Sequence, residues 1–493
     1  RQYAEALLKP KPGVLKASEL DVQGAAADRY DVSPDGLTYT FHLRRDAKFN
    51  DGRPVVAADF LYGWRRVIDP RLTGPLGSVF ANAVKGGEKA ASLGPSADAA
   101  TVDAALSELG LNALDDQTFQ VTLAQPAPYF KWIATLHQGA PIRKDVVDRA
   151  GSDTWATKPE TLVTNGPFKV TDIGQNAVTL EANPFYWKKP YLTKIVATYG
   201  IDPAPRWAAY LNNELDISNG PPTASYDATL KDPRFKDEVT TFLELSNNWL
   251  QFNTAKAPFD NAKVRLAFAQ AIDRKAYLGG SSNSGVALAS LVPDGIPGFN
   301  PSAGAAQDFD PVKAKANLAA SGVDARQFDG VKILTAPFQE PDAIIFTDMI
   351  KKNLGLTLGV ETIGDTATLN SAIAKGDYWL KTTFQGYSAL YPDPQDFFDV
   401  FLSTSRQNDA KWKNLEYDRL VKQADLSTDP TKRLQLYDQA QKIIVDEAPV
   451  AFLAQLNRTF WVKPWVKGID RTPVDTAFMP GDFSTTTMWI AKH

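Results

Sequence analysis

Residues 37–43, LTYTFHL, alternate between apolar and polar with a period of two. Leu37, Tyr39, Phe41 and Leu43 fall on one face and Thr38, Thr40 and His42 on the other, which predicts a half-buried strand. Asn50-Asp51-Gly52 supplies a turn. From Ala57 to Ile68 the period changes: Phe60, Trp64 and Val67 form one helical stripe, and Asp69-Pro70 ends it. Residues 85–110, rich in Gly, Ala and Ser, read as a surface excursion with a short helix. Thr118 to Leu123 alternates again. Asn165-Gly166-Pro167 marks a turn into a hairpin whose strands are Phe168–Thr171 and Val178–Ala182.

The pattern shifts in the second half of the chain. Phe242 to Thr254 is a mostly extended run, FLELSNNWLQFNT. Asn261 to Tyr277 then predicts one helix, capped by Asp260 or Asn261, with Val264, Phe268, Ala271 and Ile272 on its buried stripe. A Gly-, Ser- and Pro-rich loop fills 279–304, and its Gly280-to-Gly285 segment (GSSNSG) reads as a polar loop. Helix and strand alternate after that. Val312–Ser321 is a helix with Gly322 at its end, Val331–Leu334 a strand, Asp342–Leu354 a helix ended by Gly355, and Leu356–Thr362 a strand. Such alternation implies an α/β lobe with a partly parallel sheet. Asp429-Pro430 opens another helix, with cap and first-turn proline in the favoured order, that runs to Glu447. VAFLAQL returns the chain to β-type sequence.

At 493 residues the chain exceeds what one hydrophobic core supports, so two or three domains are expected. The net charge of −4 gives no support for nucleic-acid binding, which requires a basic face. The absence of cysteine removes disulfides, thiol nucleophiles and thiolate metal sites together. No apolar run of about 18 residues is present to span a bilayer. The opening residues, RQYAEALLKPKPG, lack a charged-then-apolar signal pattern. On composition alone, two locations stay open: the cytosol, or export with a leader outside this sequence.

Signs of catalysis are few. The three histidines, His42, His137 and His493, have no metal-ligand spacing, and no nucleophile elbow, phosphate loop or dinucleotide fingerprint occurs. No cofactor is expected. Asp393 and Asp396 in YPDPQDFF could form an acid/base pair or calcium ligands, but the other oxygen ligands of a calcium loop are missing, and aspartates beside prolines more commonly cap the following helix. Trp249 and Tyr387 lie beside polar, loop-like sequence, which suits ligand contact as well as core packing.

Several segments, in order, resemble the family 5 extracellular solute-binding proteins, the oligopeptide- and dipeptide-binding proteins of ABC importers. They begin with Ser33 to Arg44 (SPDGLTYTFHLR), continuing through Ala47–Pro54 (AKFNDGRP) to Asp59-Phe60. Next come Leu114–Phe119 (LDDQTF), Thr164–Val170 (TNGPFKV) with Asn183–Trp187 (NPFYW), and Asn253–Arg274. Gly386–Phe398, Arg433–Tyr437, and Val462–Val466 with the closing IAKH complete the set.

The resemblance implies a periplasmic-binding-protein type II-like α/β fold: two lobes with a cleft between them, plus an extra helper domain (the cluster C arrangement). Lobe I would be discontinuous, from 1–7, 164–245 and 458–493, with the helper domain at 8–163 and lobe II at 246–457. It implies a binding protein rather than an enzyme. Such a protein captures oligopeptides by hinge closure and delivers them to ABC transporter permease subunits. It would be a monomer with no nucleic-acid partner, periplasmic or extracellular, with a lipid anchor to the membrane as one form. Ligand contacts would come from Asn247, Asn248 and Trp249 and from Phe384, Tyr387, Ser388, Leu390, Tyr391 and Asp393.

The sequence departs from the family pattern at Leu390. Peptide-binding relatives carry there an aspartate that holds the ligand's N-terminal ammonium, a charge-assisted bond worth about 1.5–3 kcal/mol. Ala374 and Phe384 fall about where relatives place basic residues for the peptide's C-terminus. Gln2–Leu8 resembles a segment that relatives reach only after a first strand bordering the ligand. A second reading therefore keeps fold and transport role but changes the ligand to a non-peptide solute, an oligosaccharide or opine-like conjugate. Two further classes fit less of the chain: a carboxylate glycosidase using Asp393, and a receptor or chaperone for proteins.

Overall fold

The computed structural model describes residues 2–493 apart from Thr73, Pro75, Ser282, Asn283, Phe384, Gln385 and 476–478. The chain forms two compact units, residues 1–240 with 459–493, and residues 241–458.

In the first unit, β1 (Ala27–Val32), β2 (Thr38–Leu43), β3 (Leu111–Asp115) and β4 (Thr118–Thr122) make an antiparallel sheet in the order β1-β2-β4-β3. The alternation read from LTYTFHL is its cause: Tyr39, Phe41 and Leu43 are buried, their polar neighbours half-buried. Helix α1 (Ala57–Ile68) buries Phe60 and Trp64, and Trp64 Nε1 donates to Gly139 O at 3.0 Å. The stretch 85–110 is more ordered than its composition suggests. It holds helices Gly87–Ser92 and Ala99–Ser107, which bury Ala90, Val102 and Leu106. A second, three-stranded antiparallel sheet follows from β5 (Phe168–Ile173), β6 (Ala177–Ala182) and β7 (Lys194–Thr198), as the Asn165-Gly166-Pro167 turn predicts. Asn183 Nδ2 donates to Gly166 O at 2.9 Å, and Asn165 exchanges two hydrogen bonds with the backbone of Glu5.

The second unit opens with β8 (Ser246–Phe252), whose seven residues are all buried. The single helix expected over 261–277 is instead two, α2 (Ala262–Ala271) and α3 (Arg274–Gly280). Ile272 is extended, and Asp273 caps α3 by accepting from the amides of Lys275 and Ala276. A local cap outcompetes continuation of the helix at that point. Ser282 and Asn283 of the polar loop lie outside the described residues.

Next come α4 (Pro311–Ala320), β9 (Lys332–Thr335), α5 (Glu340–Leu354), β10 (Gly359–Thr362) and β11 (Leu380–Lys381). Then follow β12 (Tyr387–Ser388), α6 (Pro394–Phe398), α7 (Leu415–Leu426), α8 (Pro430–Glu447) and β13 (Val450–Val462). Strand order in this unit is β13-β8-β11-β9-β10, with β9 parallel to both β10 and β11 and the remaining pairs antiparallel. The expected partly parallel sheet is therefore present, built around the β9-α5-β10 crossover. Gly355, at φ +76°, ends α5 as a glycine can. The core packs Leu250, Phe252, Phe268, Ile333, Phe346 and Ile350 together. Residues 450–458 of β13 belong to this unit and 459–462 to the first, where Trp461 and Val462 pair with Ile217–Ser218. Among the described residues no helix is long and apolar enough to cross a membrane.

Candidate functional site

The candidate residues gather where β12 lies along the start of β8. Ser246 pairs with Ser388 and Asn247 with Tyr387, and Ala389 N donates to Leu245 O at 2.7 Å. Gly386 makes this approach possible. It bridges Asn247 at φ +56°, and a Cβ there would stand 1.9 Å from Asn247 O. Among the described residues β12 pairs with β8 alone. Residues 386–390 are all partly exposed, whereas the eight that follow, 391–398, are all buried.

Each predicted contact residue has a definite setting. Asn247 is fully buried, and its Nδ2 donates to Ser290 O and Leu291 O at 2.6 and 2.7 Å. Its Oδ1 is buried without a hydrogen-bond partner among the described residues. Asn248 donates to Tyr277 Oη at 3.2 Å and accepts from Thr383 Oγ1 at 3.1 Å. Trp249 is buried against Phe401 and Phe452, with Nε1 on Gln251 Oε1 at 3.2 Å. Tyr391 is buried and donates to Gln395 Oε1 at 2.6 Å. Tyr387 and Ser388 remain half-exposed. Tyr387 Oη donates to Asp396 Oδ1 at 2.7 Å while its ring meets Phe397 edge-on. Phe384 lies outside the described residues.

The two aspartates of YPDPQDFF are held by their surroundings. Asp393 caps α6 by accepting from Gln395 N at 2.9 Å, as its position beside Pro394 predicts. It also takes a two-pronged ion pair from Arg433, at 2.6 and 3.0 Å. Asp396 is buried and accepts from Leu390 N at 2.7 Å as well as from Tyr387. Burial pushes its pKa up to about 7, against the lowering effect of these hydrogen bonds. Asp399 and Asp425 lie in the same buried neighbourhood. Burial and the neighbouring carboxylates raise Asp399 well above the usual range, and burial lifts Asp425 to about 7. Both aspartates of the motif thus serve local structure.

Sequence comparison places this geometry. Residues 21–409 match the model of the bacterial extracellular solute-binding proteins, family 5. The chain belongs to that family. It is 30% identical to the probable deoxycholate-binding periplasmic protein YgiS of Escherichia coli, over 91% of this chain and 83% of that protein. It is also 30% identical to the periplasmic oligopeptide-binding protein OppA of Salmonella typhimurium, over 96% and 86%. Among solved structures, the murein tripeptide binding protein MppA of Escherichia coli superposes with a TM-score of 0.83 at 25% identity, covering 100% of this chain and 93% of that one. The type II-like α/β fold implied by the sequence resemblance is the fold these proteins share.

Within this family 5 protein, two functional candidates escaped the sequence reading. Glu244, just before β8, accepts from Ser388 Oγ at 3.1 Å and from Arg458 Nη2 at 2.6 Å. Gln455 Nε2 reaches the Glu244 carbonyl at 2.8 Å. This network ties β12 to the two places where the chain passes from one unit to the other. The available signal was a lone charge in each of two otherwise apolar or neutral runs, FLELSNNW and VAFLAQLNRTFWV. At Leu390, the departure noted in the sequence, no side-chain carboxylate stands. Asp396, which touches the Leu390 backbone, is committed to the Leu390 amide and the Tyr387 hydroxyl.

Proposed function

We propose that this protein captures oligopeptides outside the cytoplasm, closing on them by hinge motion, and hands them to the permease subunits of an ABC importer. The observation that carries the reading is the run 386–390: strand-like, partly exposed, and paired on one side only among the described residues. A strand edge offers main-chain donors and acceptors to an extended peptide. Binding of that kind depends little on side-chain identity, which suits broad sequence tolerance. Relatives named for oligopeptide and murein-peptide binding support the same reading. The division into lobe I, helper domain and lobe II, a monomeric state and a periplasmic or membrane-anchored location belong to this proposal. So does the absence of catalysis: Asp393 and Asp396 are occupied by Arg433, the α6 cap and backbone amides.

Native mass spectrometry of the purified protein, followed by release and sequencing of the bound material, tests it. A ladder of co-purified peptides is expected. A single non-peptide mass would overturn the peptide assignment in favour of a neutral solute.

A further inference from the structure

A cavity of about 620 Å³ lies in the second unit and is lined by residues from three separate stretches of chain. Five of its lining residues are cations: Lys256, Lys375, Arg406, Lys411 and Lys413. Among the described residues no carboxylate lines it. Among the described residues none of the five forms an ion pair. Asp409 is held by Lys381 at 3.1 Å, and Glu447 by Trp412 Nε1 and Asn414 Nδ2, each at 2.7 Å. Lys256 sits over the Trp379 ring at 3.8 Å, a contact that orients it without neutralising it. In a chain of net charge −4, five uncompensated cations around one concavity run against the overall balance.

The backbone beneath these cations is fixed. Asn253 Nδ2 donates to Gly376 O and Tyr378 O at 2.9 and 3.1 Å, and its Oδ1 accepts from Ala255 N. This joins the Lys256 turn to the Lys375 turn. Thr254 N donates to Ala410 O at 2.9 Å, which brings in the third stretch. Buried Asn408 then clasps its own loop through Phe401, Leu402 and Trp412. Lys411, at φ +58°, holds a left-handed conformation unusual for a lysine. Ser403 adds a solvent-inaccessible hydroxyl at the cavity that has no hydrogen-bond partner among the described residues. The five cations share one concavity with no carboxylate among its described lining, so an anion bound there would offset their mutual repulsion.

We propose that this cavity binds a compact, multiply charged phosphate group, either free or as the headgroup of a lipid. Four of the five cations are lysines, whose ammonium groups meet phosphate as point charges. A planar carboxylate would favour the fork of arginine, and only Arg406 offers one. The volume falls in the range of small-ligand sites. The site is separate from the residues assigned to peptide capture, so its test stands apart from that of the transport function.

The experiment titrates the full chain with inorganic pyrophosphate and, separately, measures retention on vesicles containing phosphatidylglycerol. Wild type is compared with the triple variant Lys375→Gln, Arg406→Gln, Lys413→Gln, all at exposed positions. A charge-matched control carries Lys194→Gln, Lys231→Gln and Lys236→Gln on the first unit. Pyrophosphate binding weakened about tenfold or more in the cavity variant, but unchanged in the control, establishes a free-anion site. Vesicle retention lost only in the cavity variant, with no pyrophosphate binding, establishes a headgroup site. Equal behaviour of the two variants, or no binding of either probe up to about 10 mM, overturns the proposal. Co-purified ligand read by mass spectrometry should be the same in all three proteins.

Discussion

Gly386 has no space for a side chain. Its left-handed backbone and the 1.9 Å approach of Asn247 O to any added Cβ act together. Gly386→Ala is therefore expected to cost about 2 kcal/mol or more and to pull β12 away from β8. A thermal melt checks the first, and loss of amide-exchange protection around 386–389 the second. Leu390 raises the opposite question, of what a missing charge does. The resemblance puts an ammonium-holding aspartate at this position in peptide-binding relatives. Leu390→Asp should accordingly raise affinity for peptides with a free amine about tenfold over N-acetylated ones, read by calorimetry with matched pairs. Equal affinity for both would show that the ligand's amine lies elsewhere. Residue-level chemistry was legible in part. Asp393 as a helix cap followed from its proline neighbour, whereas its ion pair with Arg433 spans 40 residues and left no local trace.

At the scale of elements, α6, α7 and α8 meet around buried charge. Asp393 and Asp396 come from α6 and its cap, Asp425 from α7, and Arg433 from α8. Arg433 serves two of these carboxylates: it bonds Asp393 directly and donates to Tyr437, whose hydroxyl donates to Asp425. Breaking a buried pair by removing one partner strands the other, so Arg433→Ala is expected to cost about 3–5 kcal/mol. Arg433→Lys should recover only part of this, because an ammonium cannot make the two-pronged contact. Chemical denaturation of both variants tests the order. The helix starts here were legible because each cap lies within three residues of the amides it serves, as at Asp429-Pro430. The break between α2 and α3 was not. Val264, Phe268, Ala271 and Ile272 keep helical spacing, and the Asp273 cap that interrupts them looks like an ordinary polar position.

Summed over the molecule, the shifted carboxylates give stability a direction with pH. Asp396 and Asp425 in the second unit and Asp475 in the first are each raised to about 7, mainly by burial. In the unfolded chain they titrate near 4. Between about pH 4 and 7 the native state thus keeps protons that the unfolded state has released. Their contribution is full below the unfolded value and is lost as pH rises through the native one. Asp145 works in the other direction. Its hydrogen bond and ion pair with Arg143 lower it to about 2, so its contribution is present above about pH 4 and lost on further acidification. The melting temperature should be higher near pH 5 than near pH 7.5, and Asp396→Asn should flatten that slope while keeping the buried position filled. An unchanged slope in the variant would mean that Asp396 is ionised throughout.

By itself the sequence determined the alternating strands of the first unit, the caps that start and stop the helices, the parallel crossover of the second unit and, through ordered motifs, the family. These depend on forces acting within a few residues: amide capping, side-chain alternation and left-handed glycines. Tertiary structure decided which polar groups acquire partners. It buried Trp249 and left Tyr387 half-exposed, tied Glu244 to Ser388 and Arg458, and converged five cations from three stretches on one cavity. The reason is that the energy of a charge or an aromatic ring depends on its solvation and its neighbours. Those neighbours come from segments that the chain brings together only on folding.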